Sequence, residues 1–294
     1  KFKDSLAGRK KIISVLPLTF SEFIYFKTEK KHSLLSLDYP SKTKEISEIQ
    51  KSELKMLLEE YLLFGGHPKV VLQETRERKI EELKEIYSSY IQKDIKDIGN
   101  IENISAYNDL IQILASQIGN LANLQEISNT ISLNKATLKN YFFLLEKSFI
   151  LYLLKPYYNN KKKELSKMPK LYLEDLGIRN MILQDFREIK LKQDAGKIVE
   201  NFIFLELHSR LKNIDQLFYW RTLTKNEVDF VLKTETEIIP IEVKYQNNPE
   251  ITFSMKKFID EYSCKKAIIF TKDILSKKNY AGCIVYFLPV YFLC

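Results

Sequence analysis

Asp229, Glu242 and Lys244 lie in the stretch NEVDFVLKTETEIIPIEVKY, residues 226–245. Two carboxylates held close together repel each other, and burying either one uncompensated costs several kcal/mol. A divalent cation resolves that conflict, and Asp and Glu oxygens suit Mg²⁺ or Mn²⁺. Such an ion polarises a phosphoryl oxygen and lowers the pKa of a bound water. A lysine beside it can stabilise charge on a pentacoordinate phosphorus or orient the water. The chemistry these residue types allow is therefore metal-assisted phosphoryl transfer. The competing interpretation is an ordinary cross-strand ion pair of Asp229 with Lys244 or Arg221.

The elements that would position these groups follow from side-chain alternation. In NEVDFVL (226–232), Val228 and Phe230 face one side and Glu227 and Asp229 the other. In IIPIEVKY (238–245), Ile239, Ile241 and Val243 face one side and Glu242 and Lys244 the other. TETE supplies a hairpin turn between them, so Asp229 and Glu242 are expected to be neighbours on adjacent strands. Residues 197–212 (KIVENFIFLELHSRLK) have the spacing of a buried helix, and its Glu200 is a candidate third ligand. LFYWR (217–221) precedes as a strand. SMKKFIDEY reads as a helix, then KAIIFT and CIVYFLP as strands. The order is helix, three-stranded meander, helix, strand, strand, a small α/β sheet domain.

Upstream, the pattern is mostly helical. Residues 11–23 suggest a strand and then a helix start capped by Ser21. Helical spacing covers 44–63 and 75–97, with a turn at Gly65–Gly66 between them. Three further helices are expected at 105–118, 124–131 and 135–148, followed by strands at 149–158 and 171–175 around the basic segment NNKKKELSKMPK. That arrangement fits a helix-turn-helix with a hairpin wing. Lys135, Thr137, Lys139 and Asn140 would lie on the exposed face of its reading helix, with Lys161, Lys162 and Lys163 at the wing tip. Long cations there would contact DNA phosphates, giving affinity without base specificity. A plain helical bundle with a solubilising loop is the alternative, and a winged helix can equally bind protein.

Bulk properties set the frame. The 294 residues carry a formal charge of +8, are 45% hydrophobic and 29% charged, and contain three Cys and three His. That describes a folded chain long enough for about two domains, with a bias towards polyanionic partners. No zinc spacing or disulfide framework is visible. No apolar run reaches the roughly 18 residues of a membrane span. The expectation is a cytoplasmic protein that does not engage a membrane.

Glu200, Asp229 and the Glu242-Val243-Lys244 triplet resemble the PD-(D/E)XK nuclease motif in its E…D…ExK form, over residues 197–290. Val228 stands where a proline usually precedes the aspartate. LFYWR…NEVDFVL and IEVK also resemble the C-terminal region of a group of prokaryotic AAA-family ATPases. LAGRKKIISVLPLTFSEF (6–23), EYLLFGGHPKVV (60–71), YIQKDIKDI (90–98) and PKLYLEDLGIRNMIL (169–183) are similar to other parts of that group. The resemblance implies an α/β multidomain chain: a tail of an ATPase core (1–40), a helical linker region (41–104), a winged-helix domain (105–185) and a PD-(D/E)XK nuclease-like sheet domain (186–294). It implies a Mg²⁺-dependent DNA endonuclease-like module in which Asp229 and Glu242 hold metal, Glu200 supports them and Lys244 assists attack. The alternatives are an idle nuclease fold serving as a DNA- or protein-binding platform, and a transcriptional regulator that uses the winged helix alone. No G-x-x-x-x-G-K-[ST] occurs; AGKIVE (195–200) lacks the first glycine and the hydroxyl residue. The expectation is a C-terminal fragment without an ATP site. In the parent, Arg9 would sense phosphate or lie at the surface. The expected partners are DNA, the absent ATPase domain and a second copy of the chain.

Overall fold

The computed structural model describes residues 15–30, 46–93, 101, 103–158, 168–212 and 214–293. Arg9, the wing-tip residues Lys161, Lys162 and Lys163, and the first part of the strand expected at 11–23 lie outside them. Residues 15–19 form neither helix nor strand.

The first half is helical. α1 (Phe20–Thr28) starts at Thr19, not Ser21: the Thr19 hydroxyl accepts from Glu22 N–H and the Glu22 carboxylate reaches back to Thr19 N–H. This reciprocal cap satisfies two donors that the first helical turn leaves free, which a cap two residues later would not. α2 (Glu48–Phe64) starts the same way with Ser47 and Gln50. A short α3 (Pro68–Val71), α4 (Arg76–Lys93), α5 (Ile104–Ser116), α6 (Leu124–Thr130) and α7 (Lys135–Lys147) follow. β1 (Leu151–Leu154) and β2 (Lys170–Leu173) then pair antiparallel. Only four residues of the strand predicted over 149–158 pair in this way. α8 (Leu176–Leu183) closes this region, capped by Asp175.

α9 (Ala195–Ser209) leads into a six-stranded mixed sheet in the order β3-β4-β5-β6-β8-β7. β3 (Gln216–Arg221), β4 (Glu227–Lys233) and β5 (Ile238–Lys244) form the antiparallel meander. α10 (Phe253–Tyr262) is the crossover that makes β6 (Lys266–Thr271) parallel to β5. β8 (Cys283–Pro289) runs parallel to β6, and β7 (Ser276–Tyr280) pairs antiparallel with β8 at the edge. β7 has no counterpart among the predicted strands. Its SKKNY sequence is exposed along nearly its whole length, so it has no apolar face to alternate, as befits an edge strand.

The sheet is covered on both faces. α9 packs against β5 on one side, within a core cluster that runs from Phe20 to Leu293. α10 packs on the other, where Met255, Phe258 and Ile259 meet Trp220, Val228, Val231, Ile269 and Phe287. The helical half and the sheet therefore share one core. Polar contacts tie them as well: Glu206 on α9 accepts from Phe20 N–H at 2.7 Å, and Asp273 after β6 accepts from Lys55 at 2.7 Å.

A second lock holds the start of α8. Asp175 accepts from Ile178 N–H and Gly66 N–H. Gly65 has φ +73°, and a Cβ there would stand 2.2 Å from the Asp175 carboxylate. Glycine meets both the left-handed backbone and the close approach. Asn180 donates to the carbonyls of Leu62 and Leu63. The end of α2 is thereby fixed to the segment that carries β2, which contributes a residue to the site below.

Candidate functional site

β4 and β5 pair in register from Lys233–Ile238 up to Phe230–Ile241, and the ladder stops there. On its other edge, β4 carries an irregularity: Phe218 faces Val231, but Trp220 faces Val228. One residue of β3 thus spans two of β4, and these two are Asp229 and Phe230. Such a bulge re-aims side chains and ends pairing. Beyond it the Asp229 carboxylate takes over, accepting a hydrogen bond from Val243 N–H at 2.9 Å.

Glu242 follows directly. In the parallel ladder it aligns with Ile269, a member of the core on the α10 side. Its carboxylate is 1% exposed and accepts from the hydroxyl of Thr252, the N-cap of α10, at 2.6 Å. The other oxygen, Oε2, has no hydrogen-bond partner among the described residues. Lys244 Nζ lies 3.5 Å from it, close enough for an ion pair but without hydrogen-bond geometry. Burial raises the Glu242 pKa to about 7; the Lys244 charge opposes this and the Asp229 charge adds to it. Burial pulls the Lys244 pKa down, but Glu242 and Asp229 outweigh it and leave the net shift upward.

Glu200 is placed differently from the expected third ligand. It lies 5% exposed on α9, and both of its oxygens are taken. Oε1 accepts from Lys170 Nζ at 3.0 Å and from Tyr172 Oη at 2.8 Å; Oε2 accepts from Lys197 Nζ at 2.8 Å. Among the described residues, no group of three or more His, Cys, Asp or Glu side chains stands together in a way that could hold a metal ion. The three-carboxylate set Glu200–Asp229–Glu242 is therefore not assembled. Of the predicted residues, Lys244 pairs with Glu242, and the Asp229 charge acts on both. Glu200 belongs to a neighbouring ion-pair cluster.

Two residues of that cluster were not among the sequence candidates. Lys170 on β2 is 1% exposed and reaches three carboxylates: Glu227 at 2.6 Å, Glu200 at 3.0 Å and Asp229 at 3.5 Å. Burial alone would lower its pKa, but the three carboxylates raise it well above the ordinary lysine value. Glu227, on β4, is shared between Lys170 and Arg221. Alternation puts Glu227 on the same strand face as Asp229, a signal available in the sequence. Lys170 lies 57 and 59 residues before Glu227 and Asp229, and no local spacing marks it.

On α7, Lys135, Lys139 and Asn140 are exposed and Thr137 is half-buried. The same helix exposes Phe143, with Lys147 Nζ 5.5 Å from its ring centroid. α5, α6, α7 and the β1–β2 hairpin follow one another in the predicted order.

Residues 55–189 match the family described as a domain of unknown function, DUF8612, and residues 195–291 match the domain of unknown function DUF4143. The site spans both: Lys170 lies in the first, and Glu200, Glu227, Asp229, Glu242 and Lys244 in the second. An uncharacterized protein of Methanocaldococcus jannaschii is 31% identical over 252 residues, 83% of this chain and 52% of that protein. One of Haemophilus influenzae is 27% identical over 279 residues, 91% of this chain and 61% of its own length. One of Mycobacterium tuberculosis is 22% identical over 186 residues, covering 62% and 42%. The chain thus spans about half the length of the curated relatives it matches. No solved structure matches it. No helix among the described residues is long and apolar enough to cross a membrane. What the comparisons establish is similarity to DUF4143 over residues 195–291, together with relatives whose activities are not assigned.

Proposed function

We propose that this chain is the DNA-engaging part of an AAA-family ATPase and that its sheet is a PD-(D/E)XK-like module taking one divalent cation, Mg²⁺ or Mn²⁺, on Asp229 and Glu242. The observation that carries the proposal is the end of the β4–β5 ladder. There Asp229 turns its carboxylate into the gap, and Glu242 keeps a buried oxygen without a hydrogen bond. Lys244 pairs with that oxygen at 3.5 Å without donating a hydrogen bond to it, and a divalent cation held by Asp229 and Glu242 would compensate both carboxylates once Glu242 is deprotonated. Two carboxylates, with the remaining positions left to water and phosphate, suit Mg²⁺. When bound, the ion would supply Lewis-acid polarisation of a phosphodiester and a more acidic water.

The chain's own groups have definable parts in such a reaction. Val243 N–H holds Asp229 in one orientation, and the Thr252 hydroxyl does the same for Glu242. Lys244 is about one-third exposed beside Glu242 and would stabilise charge on a phosphate oxygen bound there. Lys135, Lys139 and Asn140 on α7, with Phe143 among them, would hold DNA on a winged-helix surface. The intact polypeptide would add the ATPase core, whose cycling would govern access, and self-association.

A second interpretation has its own support. Glu200 and Glu227 are already neutralised by Lys170, Lys197 and Arg221, as in a fold that keeps the site's residues but serves as a DNA- or protein-binding platform. Supercoiled plasmid with Mg²⁺ or Mn²⁺ distinguishes the two. Metal-dependent nicking that disappears in Asp229→Ala and Lys244→Ala supports the nuclease. Equal behaviour of wild type and both variants supports the platform.

A further inference from the structure

Lys170 approaches the sheet from outside it. It sits on β2, where it pairs with Leu154 of β1 and bridges Leu121 of the α5–α6 connection. Its ammonium is directed at Glu200 from α9 and at Glu227 and Asp229 from β4. An ammonium has three donors and no acceptor, and here it faces three carboxylates. Lys197 and Arg221 compensate the outer oxygens of Glu200 and Glu227. Among the described residues, Lys170 is the one cation that reaches all three groups.

We infer that the Lys170 ammonium is the resident cation of the Glu200–Glu227–Asp229 pocket and occupies the place a divalent ion would otherwise take, so that the protein accepts metal only on the Asp229–Glu242 side. The second half of this inference rests on the proposed metal site; the first half does not. The distances fit an ammonium. Nζ stands 2.6, 3.0 and 3.5 Å from the three carboxylates, whereas Mg²⁺ draws oxygens in to about 2.0–2.1 Å. Carboxylates held apart by N–H···O contacts cannot also close around a metal. The chain supplies its own counter-ion from the helical half and leaves Glu242 Oε2 as the acceptor of this site still lacking a donor.

Removing the ammonium leaves the buried Glu200 and the half-buried Glu227 and Asp229 with only outer compensation, and a desolvated charge without its partner seeks another. In the Lys170→Met variant the pocket is expected to capture a divalent ion. The experiment counts Mn²⁺ bound per chain by the loss of the free-ion electron paramagnetic resonance signal, with thermal melts alongside. Wild type is expected to bind one Mn²⁺ and Lys170→Met two, with a larger Mn²⁺-dependent rise in melting temperature for the variant. Lys170→Arg keeps the charge and should match wild type. The double variant Lys170→Met/Glu242→Gln isolates the pocket: it should bind one ion, where Glu242→Gln alone binds none. If wild type binds none and Lys170→Met binds one, the inference about Lys170 stands and the Asp229–Glu242 site falls. If Lys170→Met binds no more than wild type, the inference is overturned whatever the wild-type count. If Lys170→Met folds only when Mn²⁺ is present, metal has replaced the ammonium; if it fails to fold even then, Lys170 is a structural ion pair and the inference is again overturned.

Discussion

The Asp229 carboxylate accepts a hydrogen bond from the backbone N–H of Val243 at 2.9 Å, just past the last paired residues of β4 and β5. A side chain thus does the work of a missing ladder carbonyl, and one carboxylate serves both the fold and the site. The two roles separate by substitution. Asp229→Ala leaves Val243 N–H without its acceptor and should cost about 1–3 kcal/mol, read from the urea midpoint. Asp229→Asn keeps an acceptor and should cost less than half as much, yet it should abolish metal-dependent cleavage as completely.

Glu242 predicts a pH dependence of stability. Its pKa rises from the ordinary 4.5 to about 7 in the folded protein, chiefly through burial. The folded state therefore binds more protons than the unfolded one between these values. The stability linked to this group is fully present below pH 4.5 and is lost as pH rises through about 7. Glu174, also raised to about 7 by burial, acts in the same direction. Urea midpoints of wild type and Glu242→Gln, followed from the ordinary glutamate pKa to just above the folded one, isolate the Glu242 share, since the variant keeps only the rest of the slope. Bound metal requires the deprotonated carboxylate, so Mn²⁺ affinity should strengthen as pH rises through about 7.

The DNA-binding surface proposed on α7 and the basic segment that includes Lys162 predicts two kinds of weakening. Lys139→Ala and Lys162→Ala should each weaken duplex binding and lower the salt slope by about 1, as expected when one phosphate is no longer neutralised. Phe143→Ala removes an exposed ring without changing charge, so it should weaken binding at unchanged slope. Fluorescence anisotropy between low and moderate salt separates the two. Unchanged affinity in all three variants would exclude DNA as the ligand of this surface.

The scaffold makes a prediction independent of function. Gly65→Ala puts a Cβ at φ +73°, 2.2 Å from the Asp175 carboxylate. It should destabilise the chain by at least about 3 kcal/mol, combining backbone strain with disruption of a buried hydrogen-bonded cap. Asp175→Ala should account for only part of that destabilisation. Thermal or urea melts of the two variants give the comparison.

Much of the sheet domain was legible because alternation is a local signal. The meander, α10 and strands β6 and β8 follow from side-chain periodicity, but the expectation that Val228 and Phe230 share a face fails: the bulge puts Val228 in the α10-side core and Phe230 in the α9-side core. What stayed hidden was set by contacts distant in sequence. The sequence predicts a buried Glu200, but nothing near it names Lys170 as its partner. KMPK reads as the end of a basic, solvated segment, yet its last lysine is 1% exposed, because only the docking of β2 against α9 and β4 desolvates it. Ser21 and Thr19 are both good helix caps; the choice falls to Thr19 because Glu22 stands three residues after it. The bulge at Asp229–Phe230 arises in the pairing with β3 and leaves no mark in either strand alone.

The metal assignment is decided most directly by a Mn²⁺ soak of a crystal of this chain, read by anomalous scattering. One peak is expected, between the carboxylates of Asp229 and Glu242 and within reach of Lys244, with Lys170 still bound to Glu200 and Glu227. No peak at millimolar Mn²⁺, or a peak only at residues remote from this pair, would contradict it.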